Sequence, residues 1–432
     1  MDAGARAGCR YREVMYEWSA EHQMIRTAVR DFLDKEVAPH LDELEHGDMA
    51  PYGVLRKMYS TFGLDQMAAA SFERRVAKEE QPQEAPAAID AGAAADGVAD
   101  AVGGDANRAA MAMLPIIELC RYCPGMVTAM GVSVGLTAAA IMSKGTPAQK
   151  RRWALDLLTL KTIGSWAITE PDSGSDAFGS MRSTARRDGD EYILNGSKTF
   201  ITNGPYADTI VFICKLDEGN PAEERKVLTF VLDRGMPGLE QTPPLRKMGM
   251  HSSPTGQLFL TDVRVGRDRL LGESEGGSGR TNRDGAKATF TMERTGVAAM
   301  ALGIIERCLE LSLEYARTRI QFGQPIGAFQ LIQLKIAKME VARLNVQNLV
   351  FRQIEMAADG KGMNLAEASA CKLYAAQSAT EVALEAVQLF GGNGYMAEYR
   401  VEQLARDAKV LQIYAGTDEI QISQIARSLL AL

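Results

Sequence analysis

The strongest constraint on the fold is that the pattern of residues changes twice along the 432 residues, from helical to β-rich and back to helical. Between Ile163 and about Leu271, short β-rich runs alternate with turn signals, which is typical of a small sandwich or barrel. The flanking segments have the 3.6-residue spacing of amphipathic helices, as at Met24, Ala28 and Phe32. The chain is therefore predicted to be mainly α with a central β domain. The predicted units are an N-terminal helical domain at 1–162, an antiparallel β-barrel or sandwich at 163–275, and a C-terminal four-helix bundle at 276–432.

Local signals sharpen this prediction. Asn195-Gly196 lies between two β-rich runs and favours a tight hairpin turn, because both residues tolerate positive φ. In the C-terminal part, Asn364 with Glu367 three residues later predicts a capped helix start. A preceding helix has an apolar stripe. The stripe consists of Leu331, Leu334, Val341, Leu344 and Phe351.

Residues 72–107 differ from the rest in being rich in Ala, Gly, Glu, Asp and Pro. Such a stretch has few large apolar groups to offset the entropy of ordering. We expect a mobile surface insertion with fraying helix, and a role as a lid or partner contact stays open.

Composition excludes several classes of protein. A net charge of -7 argues against nucleic-acid binding, which needs a basic face. We expect no membrane span, which needs about 18 consecutive uncharged, mostly apolar residues. Residues 1–12 lack the apolar core of a signal peptide, so a cytoplasmic location is expected.

Metal sites and common nucleotide motifs are also not expected. Cys120 and Cys123 form one CxxC pair with no second pair or nearby histidine, so they are interpreted as buried thiols. No GxGxxG or GxxxxGK[ST] motif occurs, which argues against Rossmann and P-loop sites. The histidines have no ligand or triad spacing. They are His22, His40, His46 and His251, which we expect at the surface or hydrogen-bonded.

Four separated motifs carry the functional signal, and together they resemble the acyl-CoA dehydrogenase family over nearly the whole chain. The resemblance implies bound FAD and an acyl thioester substrate, either acyl-CoA or an acyl carrier protein thioester. It further implies electron-transfer flavoprotein as the electron acceptor. The motifs are Trp166–Asp176, Lys198–Gly204, Arg317–Ile326, and 388–395 followed by 412–421.

The first two motifs are similar to the segments that contact the flavin in this family. Phe200 stands where Trp is common, so it keeps the apolar face and loses the indole donor. Ser175 corresponds to a residue near the pyrophosphate or the acyl-CoA. The flavin contacts implied by the resemblance are Trp166, Ile168, Thr169, Ser175, Phe200 and Thr202.

The other two motifs imply an FAD site shared between subunits. A guanidinium such as that of Arg319 suits a pyrophosphate, because its donors form a planar, always charged fork. A shared cofactor implies an obligate homo-oligomer, most simply a tetramer built as a dimer of dimers. The residues implied to reach a neighbouring subunit's FAD are Arg319, Gln321, Phe322, Gln388, Gly391, Gly392 and Thr417.

The C-terminal motif departs from the family at its catalytic position. A glutamate that removes the substrate's α-proton usually stands between the Tyr and the Gly, but this chain has Ala415 between Tyr414 and Gly416. Alanine cannot accept a proton, although its backbone N-H can still stabilise negative charge on the thioester oxygen. The resemblance therefore implies substrate contacts at Tyr414, Ala415 and Gly416 without the usual base.

Glu293 is the candidate replacement base. It precedes Arg294 at a predicted helix start, as the base does in isovaleryl-CoA dehydrogenase and some long-chain members, and Arg294 is expected to hold the site's entrance loop. A base needs only reach of the proton and a suitable pKa. The flavin would accept the β-hydride at N5.

Other interpretations of these residues stay open. Glu293 could instead favour the helix dipole or pair locally with Arg294. Asp418 or Glu419 could be the base. The chain could also be a noncatalytic, FAD-sharing subunit of a mixed oligomer, or a flavin reductase, oxidase or monooxygenase.

Overall fold

The structure is a computed structural model that describes residues 16–80, 105–276 and 279–431. Apart from short 3-10 turns, the described residues form seven helices before the sheet and five after it. The first seven are α1 Ala20–Glu36, α2 Leu41–His46, α3 Tyr52–Thr61, α4 Leu64–Glu80, α5 Asp105–Cys120, α6 Pro124–Lys144 and α7 at 147–158. The last five are α8 Gly279–Thr318, α9 Gln330–Ala358, α10 Leu365–Phe390, α11 Val401–Val410 and α12 Asp418–Leu429. The predicted fold class is confirmed.

Helix α1 forms as predicted, but its buried face is rotated from the predicted one. Ser19 and His22 make a reciprocal capping box at its start. Met24 is 65% exposed, whereas Arg26 on another face is buried. The apolar pattern misses this face because Arg26 is buried through an ion pair with Glu118 of α5.

The predicted insertion begins too early. Residues 72–80 form the end of α4, where Phe72 and Val76 pack in a core with Trp153 and Leu157. Two large apolar side chains one turn apart are enough to anchor that segment. The predicted insertion also ends too late, because residues 105–107 begin α5. Its remaining part, at 81–104, lies outside the described residues.

Helix α6 is the apolar segment that bears on the expectation of no membrane span. Pro124–Lys144 has a mean hydropathy of 1.7 over an 18-residue window and is long enough to cross a membrane by length and composition alone. Half of that window is buried in the fold, and Ala138 and Ile141 lie in the core shared with α4. A core helix has the same composition, so the segment is weak evidence for a span. The cytoplasmic location stays a prediction.

The central unit is a seven-stranded sheet ordered β1-β4-β2-β3-β7-β6, with β5 paired to β4. Most pairs are antiparallel, while β1 and β2 each run parallel to β4. Every residue of β4 is buried, because helices α4, α6 and α7 cover one face of the sheet and its own core fills the other. The strands are β1 Gly164–Ala167, β2 Thr184–Asp188, β3 Glu191–Thr202, β4 Thr209–Leu216, β5 Val227–Asp233, β6 Leu239–Gln241 and β7 Thr255–Gly266.

The predicted hairpin at Asn195-Gly196 is wrong. Strand β3 runs through both residues, and the turn before it lies at Gly189, where φ is +63°. Asn195-Gly196 instead forms a bulge against β7. The Asn195 side chain pairs with Asp262 of β7, and of the two residues only Gly196 has positive φ, at +155°.

The C-terminal helices pack around α8 and α10. The predicted cap at Asn364 is confirmed, and Gly391 with φ +62° ends α10. Most of the apolar stripe on α9 faces outward. Leu331 is 75% exposed and Val341 58%, whereas Phe351 is buried.

The cysteine and histidine interpretations are confirmed within the described residues. Cys120 and Cys123 are free buried thiols. His22 and His251 are hydrogen-bonded.

Candidate active site

The site is built around the loop at 414–417, which joins α11 to α12. Thr417 is the N-cap of α12 and accepts a hydrogen bond from Ile420 N. Ala415 and Gly416 both have positive φ, at 51° and 89°. A β-carbon at Gly416 would lie 2.8 Å from Gln421 Nε2, so only glycine fits there without displacing Gln421.

Glu293 lies on α8 and faces the same interior as this loop. Tyr414 donates its hydroxyl to Met300 Sδ at 3.2 Å. Met300 is two turns from Glu293 on the same face of α8. Burial, and to a smaller extent the charge of Glu293, raise the pKa of Tyr414. The base candidate and the loop that lacks the usual base therefore lie side by side.

The environment of Glu293 suits proton transfer near neutral pH. Burial raises the pKa of its carboxyl to about 7, while Arg294 acts in the opposite direction. The residue keeps some accessible surface, so it is open to a substrate. A carboxyl with this pKa is partly ionised at pH 7 and can accept a proton.

The position of Glu293 in its helix differs from the prediction. Helix α8 begins at Gly279, about four turns before Glu293, so Glu293 does not start the helix. The macrodipole acts mainly on the first turn. An N-terminal dipole therefore does not account for this glutamate.

Arg294 is buried and packs against the loop. Its Nη1 donates to Ser369 Oγ of α10 at 2.9 Å. A β-carbon at Gly416 would lie 3.6 Å from Arg294 Nη2. Its surroundings therefore differ from those of a surface ion pair.

Asp418 and Glu419, the two other candidates for the base, have different surroundings from Glu293. Asp418 Oδ2 accepts hydrogen bonds from Gln377 and Gln412, and its Oδ1 lies 3.8 Å from Lys372 Nζ. Glu419 is exposed in the first turn of α12, and hydrogen bonding to its carboxyl lowers its pKa.

The first two motifs come together at one edge of the sheet. Thr199 N donates to Thr169 O at 2.9 Å, which joins the segment after β1 to β3. Phe200 has positive φ and is 69% exposed, although it is large and apolar. Trp166, Ile168, Thr169 and Thr202 are partly buried, and Ser175 is exposed.

A buried ion pair that the sequence analysis missed supports this edge. Lys198 and Glu170 are both buried, with Nζ 2.8 Å from Oε1. Glu170 also accepts the backbone N-H groups of Arg182 and Ser183, and Lys198 donates to Ile168 O. The signal was present, because a lysine and a glutamate lie inside two motifs, but only the fold pairs them.

The third motif and the start of the fourth lie at one end of the bundle. Tyr315 stacks on Phe390 with ring centroids 4.0 Å apart, and its hydroxyl accepts from Asn393 Nδ2. Arg319 N donates to Tyr315 O. The following two-stranded hairpin, β8 Ile320–Gln321 and β9 Gln324–Pro325, leaves Phe322 93% exposed. Arg319, Gln321, Gln388, Gly391 and Gly392 are also exposed.

Comparison with known proteins identifies the class. Three family models match, namely the N-terminal domain of acyl-CoA dehydrogenase at 19–70 and 55–161, its middle domain at 165–263 and its C-terminal domain at 284–430. The chain belongs to the acyl-CoA dehydrogenase family. It is a FAD-dependent oxidoreductase that acts on acyl-CoA-type substrates.

Individual relatives cover nearly the full length. An acyl-CoA dehydrogenase of Bacillus subtilis (strain 168) is 34% identical over 415 residues, which is 95% of this chain and 98% of that protein. A 3-(aryl)acrylate reductase of Clostridium sporogenes (strain ATCC 15579) is also 34% identical, covering 96% and 99%. The solved structure of butyryl-CoA dehydrogenase from Megasphaera elsdenii has a TM-score of 0.80 at 31% identity, covering 96% and 100%.

The residues present fit FAD in two respects. A planar ring system needs an apolar face with short polar groups at its edge, and exposed Phe200 lies two residues from Thr202. A phosphate-bearing tail needs backbone that it can approach closely. A β-carbon at Gly391 or Gly392 would meet no atom within 4 Å, so this turn offers open backbone.

Proposed function

We propose that this chain catalyses α,β-dehydrogenation of an acyl thioester, with Glu293 as the base that removes the α-proton. The observation that carries the proposal is the placement of Glu293 beside the 414–417 loop, under a carboxyl pKa raised to about 7. The loop supplies the backbone N-H of Ala415 to the thioester oxygen. Base and oxyanion donor then come from two elements instead of one.

The chemistry needs both groups at once. Loss of the α-proton to Glu293 places negative charge on the thioester oxygen, and a fixed N-H at that oxygen lowers the barrier. Bound FAD supplies the acceptor for the β-hydride. Arg294 follows the base in α8, lies beside Gly416 of the loop and is anchored to Ser369 of α10.

We propose that FAD is held by the edge of the sheet and by the exposed end of the bundle. Phe200, Thr169 and Thr202 would hold the ring system, together with Trp166 and Ile168. Ser175 would contact the pyrophosphate or the acyl-CoA. Exposure supports a cross-subunit role for the second group, because Phe322 is 93% exposed although its ring contacts Phe329 edge-on. That group is Arg319, Gln321, Phe322, Gln388, Gly391, Gly392 and Thr417.

The proposed substrate is a CoA or acyl carrier protein thioester, and the proposed acceptor is electron-transfer flavoprotein. The relative named as a 3-(aryl)acrylate reductase adds aryl-substituted acyl groups to the candidates. A reductase runs the same bond change in reverse, so it needs the same proton-handling group.

Anaerobic mixing of the purified yellow protein with a thioester panel tests the function. Straight-chain, branched and 3-arylpropionyl CoA esters are added, and flavin absorbance is followed. We expect at least one saturated ester to bleach the flavin and give the α,β-unsaturated product. If no saturated ester bleaches a fully FAD-loaded protein, but an unsaturated ester reoxidises the chemically reduced form, the chain is a reductase instead.

We further propose a homotetramer, supported by the outward stripe on α9. Leu331, Leu334 and Val341 are each more than half exposed on one face, and exposed apolar patches of this kind mark interfaces. Leu334→Asp should therefore lower the mass of the FAD-loaded protein in sedimentation. Met24→Asp, on exposed α1 surface, is the control and should leave the mass unchanged. A monomeric wild-type protein would contradict the proposal.

A further inference from the structure

Two buried side chains hold the carbonyl groups of the 414–417 loop. Gln421 Nε2 donates to Ala415 O at 3.0 Å and to Gly416 O at 2.7 Å. Lys372 Nζ donates to Gly416 O at 2.8 Å. Both side chains come from helices, α12 and α10, so the loop is fixed from two rigid elements.

Their burial is costly and calls for a compensating role. Lys372 and Gln421 are both fully buried, and an ammonium loses much hydration energy when it leaves water. The charged groups that face Lys372 are Asp418 and Glu419 of α12 and Arg294 of α8. Asp418 is only 3.8 Å away, whereas Arg294 repels the ammonium. Lys372, a buried cation with a second cation, Arg294, close by, thus lies on the carbonyl side of the loop.

The pinned carbonyls determine what the loop offers to a ligand. In a trans peptide the C=O and the following N-H point in opposite directions, so the held carbonyls of Ala415 and Gly416 fix the amides of Gly416 and Thr417. The Ala415 amide is held through the backbone conformation of Ala415 itself. Within the described part of the chain, neither Ala415 nor Gly416 donates its N-H to an acceptor. The loop therefore has tied carbonyls on one side and amide donors available on the other.

We propose that Lys372 and Gln421 are positioning residues that hold the 414–417 backbone as an oxyanion site for the thioester oxygen. This inference rests on the proposed function. Neither side chain touches the substrate. They maintain the left-handed conformation of Ala415 and Gly416, which strain would otherwise disfavour at alanine.

The electrostatics strengthen this role. When Glu293 accepts the α-proton, negative charge moves from its carboxylate to the thioester oxygen. Lys372 and Arg294 are already fixed behind the loop, so their field stabilises that charge without reorganisation. In this step one C-H bond breaks and one O-H bond forms on Glu293. The electron pair of the C-H bond stays on the thioester as its enolate.

Exchange of α-hydrogens with D2O isolates this step. Acetyl-CoA and phenylacetyl-CoA have α-hydrogens but no β-hydrogen to transfer, so exchange reports proton removal alone. In the FAD-loaded protein, Lys372→Met and Gln421→Leu should each slow exchange by about 10-fold to 100-fold, below the roughly 10² to 10³ seen when an oxyanion donor is deleted outright. Thioester affinity should change less than fivefold. Peptide amide exchange at 414–417, read by mass spectrometry, should become faster.

A pH profile separates positioning from general damage. Burial and the nearby Arg294 lower the pKa of Lys372 to about 8. Wild-type exchange should fall as pH rises through about 8, because the ammonium is lost, and this descending limb should vanish in Lys372→Met. Lys150→Met is the matched control, since Lys150 is also buried but pairs with Glu79 of α4 and not with the 414–417 loop. The Lys150→Met variant should keep the wild-type exchange rate and the descending limb of the pH profile.

The outcomes discriminate between the two proposals. Exchange within twofold of wild type in both Lys372→Met and Gln421→Leu overturns the positioning role, and so does a descending limb that persists in Lys372→Met. If Lys372→Met does not fold, Gln421→Leu alone decides by its rate and its amide exchange. A wild-type protein that exchanges neither probe nor is reduced by any thioester overturns the proposed function itself.

Discussion

Glu293→Gln should lower the rate of flavin reduction by a saturated acyl thioester by about 10² to 10⁴, because removal of a general base typically costs that much. Glutamine has nearly the same shape and cannot accept the α-proton. FAD content and thioester affinity should be retained. Stopped-flow absorbance of the FAD-loaded protein gives the rate, and a variant that keeps the wild-type rate would remove Glu293 from the mechanism.

The pH dependence gives an independent reading of the same residue. The base must be ionised, so wild-type kcat/KM should rise as pH increases through about 7, the pKa to which burial raises this carboxyl. In Glu293→Gln that rising limb should be absent from any residual activity.

Because the folded pKa of Glu293 lies above its unfolded value, Glu293 stabilises the fold at low pH and loses that contribution as pH rises through about 7. Above pH 7 the variant should be at least as stable as wild type.

Two further variants serve as controls for the base. Glu419→Gln removes an exposed carboxylate next to the same loop and should change the rate less than twofold. Adding Ala415→Glu to Glu293→Gln places a carboxylate at the position where the family usually has it. Partial recovery of flavin reduction in the double variant would show that the base can act from either side of the pocket.

Glu118→Gln should lower the free energy of unfolding by about 3–5 kcal/mol, the usual cost of removing one partner from a buried ion cluster. Glu118 is fully buried and pairs with Arg26, Arg30 and Arg121. Without its charge, Arg26 and Arg121 keep Glu306 of α8 as a shared partner. Glu118 of α5 joins Arg26 and Arg30 of α1, so loss of its charge loosens the contact between these two N-terminal helices.

The measurement is the urea midpoint of the FAD-loaded protein, followed by circular dichroism. Glu73→Gln is the matched control, because Glu73 pairs with Arg151 where both side chains are largely exposed. Exposed pairs contribute about 0–1 kcal/mol. A Glu118→Gln variant as stable as Glu73→Gln would mean that the arginines find other partners.

The two predictions draw on different kinds of information. Glu293 was selected from the sequence, because a missing carboxylate at Ala415 and a Glu-Arg pair upstream are both visible in the chain. Glu118 was not, because one glutamate in an apolar helix gives no sign of the three arginines that surround it. Lys372 and Gln421 were missed for the same reason, since their partners are backbone carbonyls.

The sequence by itself determined the order of helical and β units, the capped start at Asn364, the family and the candidate base. These depend on periodicity, on local hydrogen bonds and on residue identity at motif positions, which short segments carry. Only the tertiary structure decided that Asn195-Gly196 is a bulge, that Arg26 is buried in α1 and that Glu293 lies well inside α8. It also decided which groups hold the loop around Ala415. Those outcomes depend on contacts between residues far apart in the chain, whose energies can override local preference.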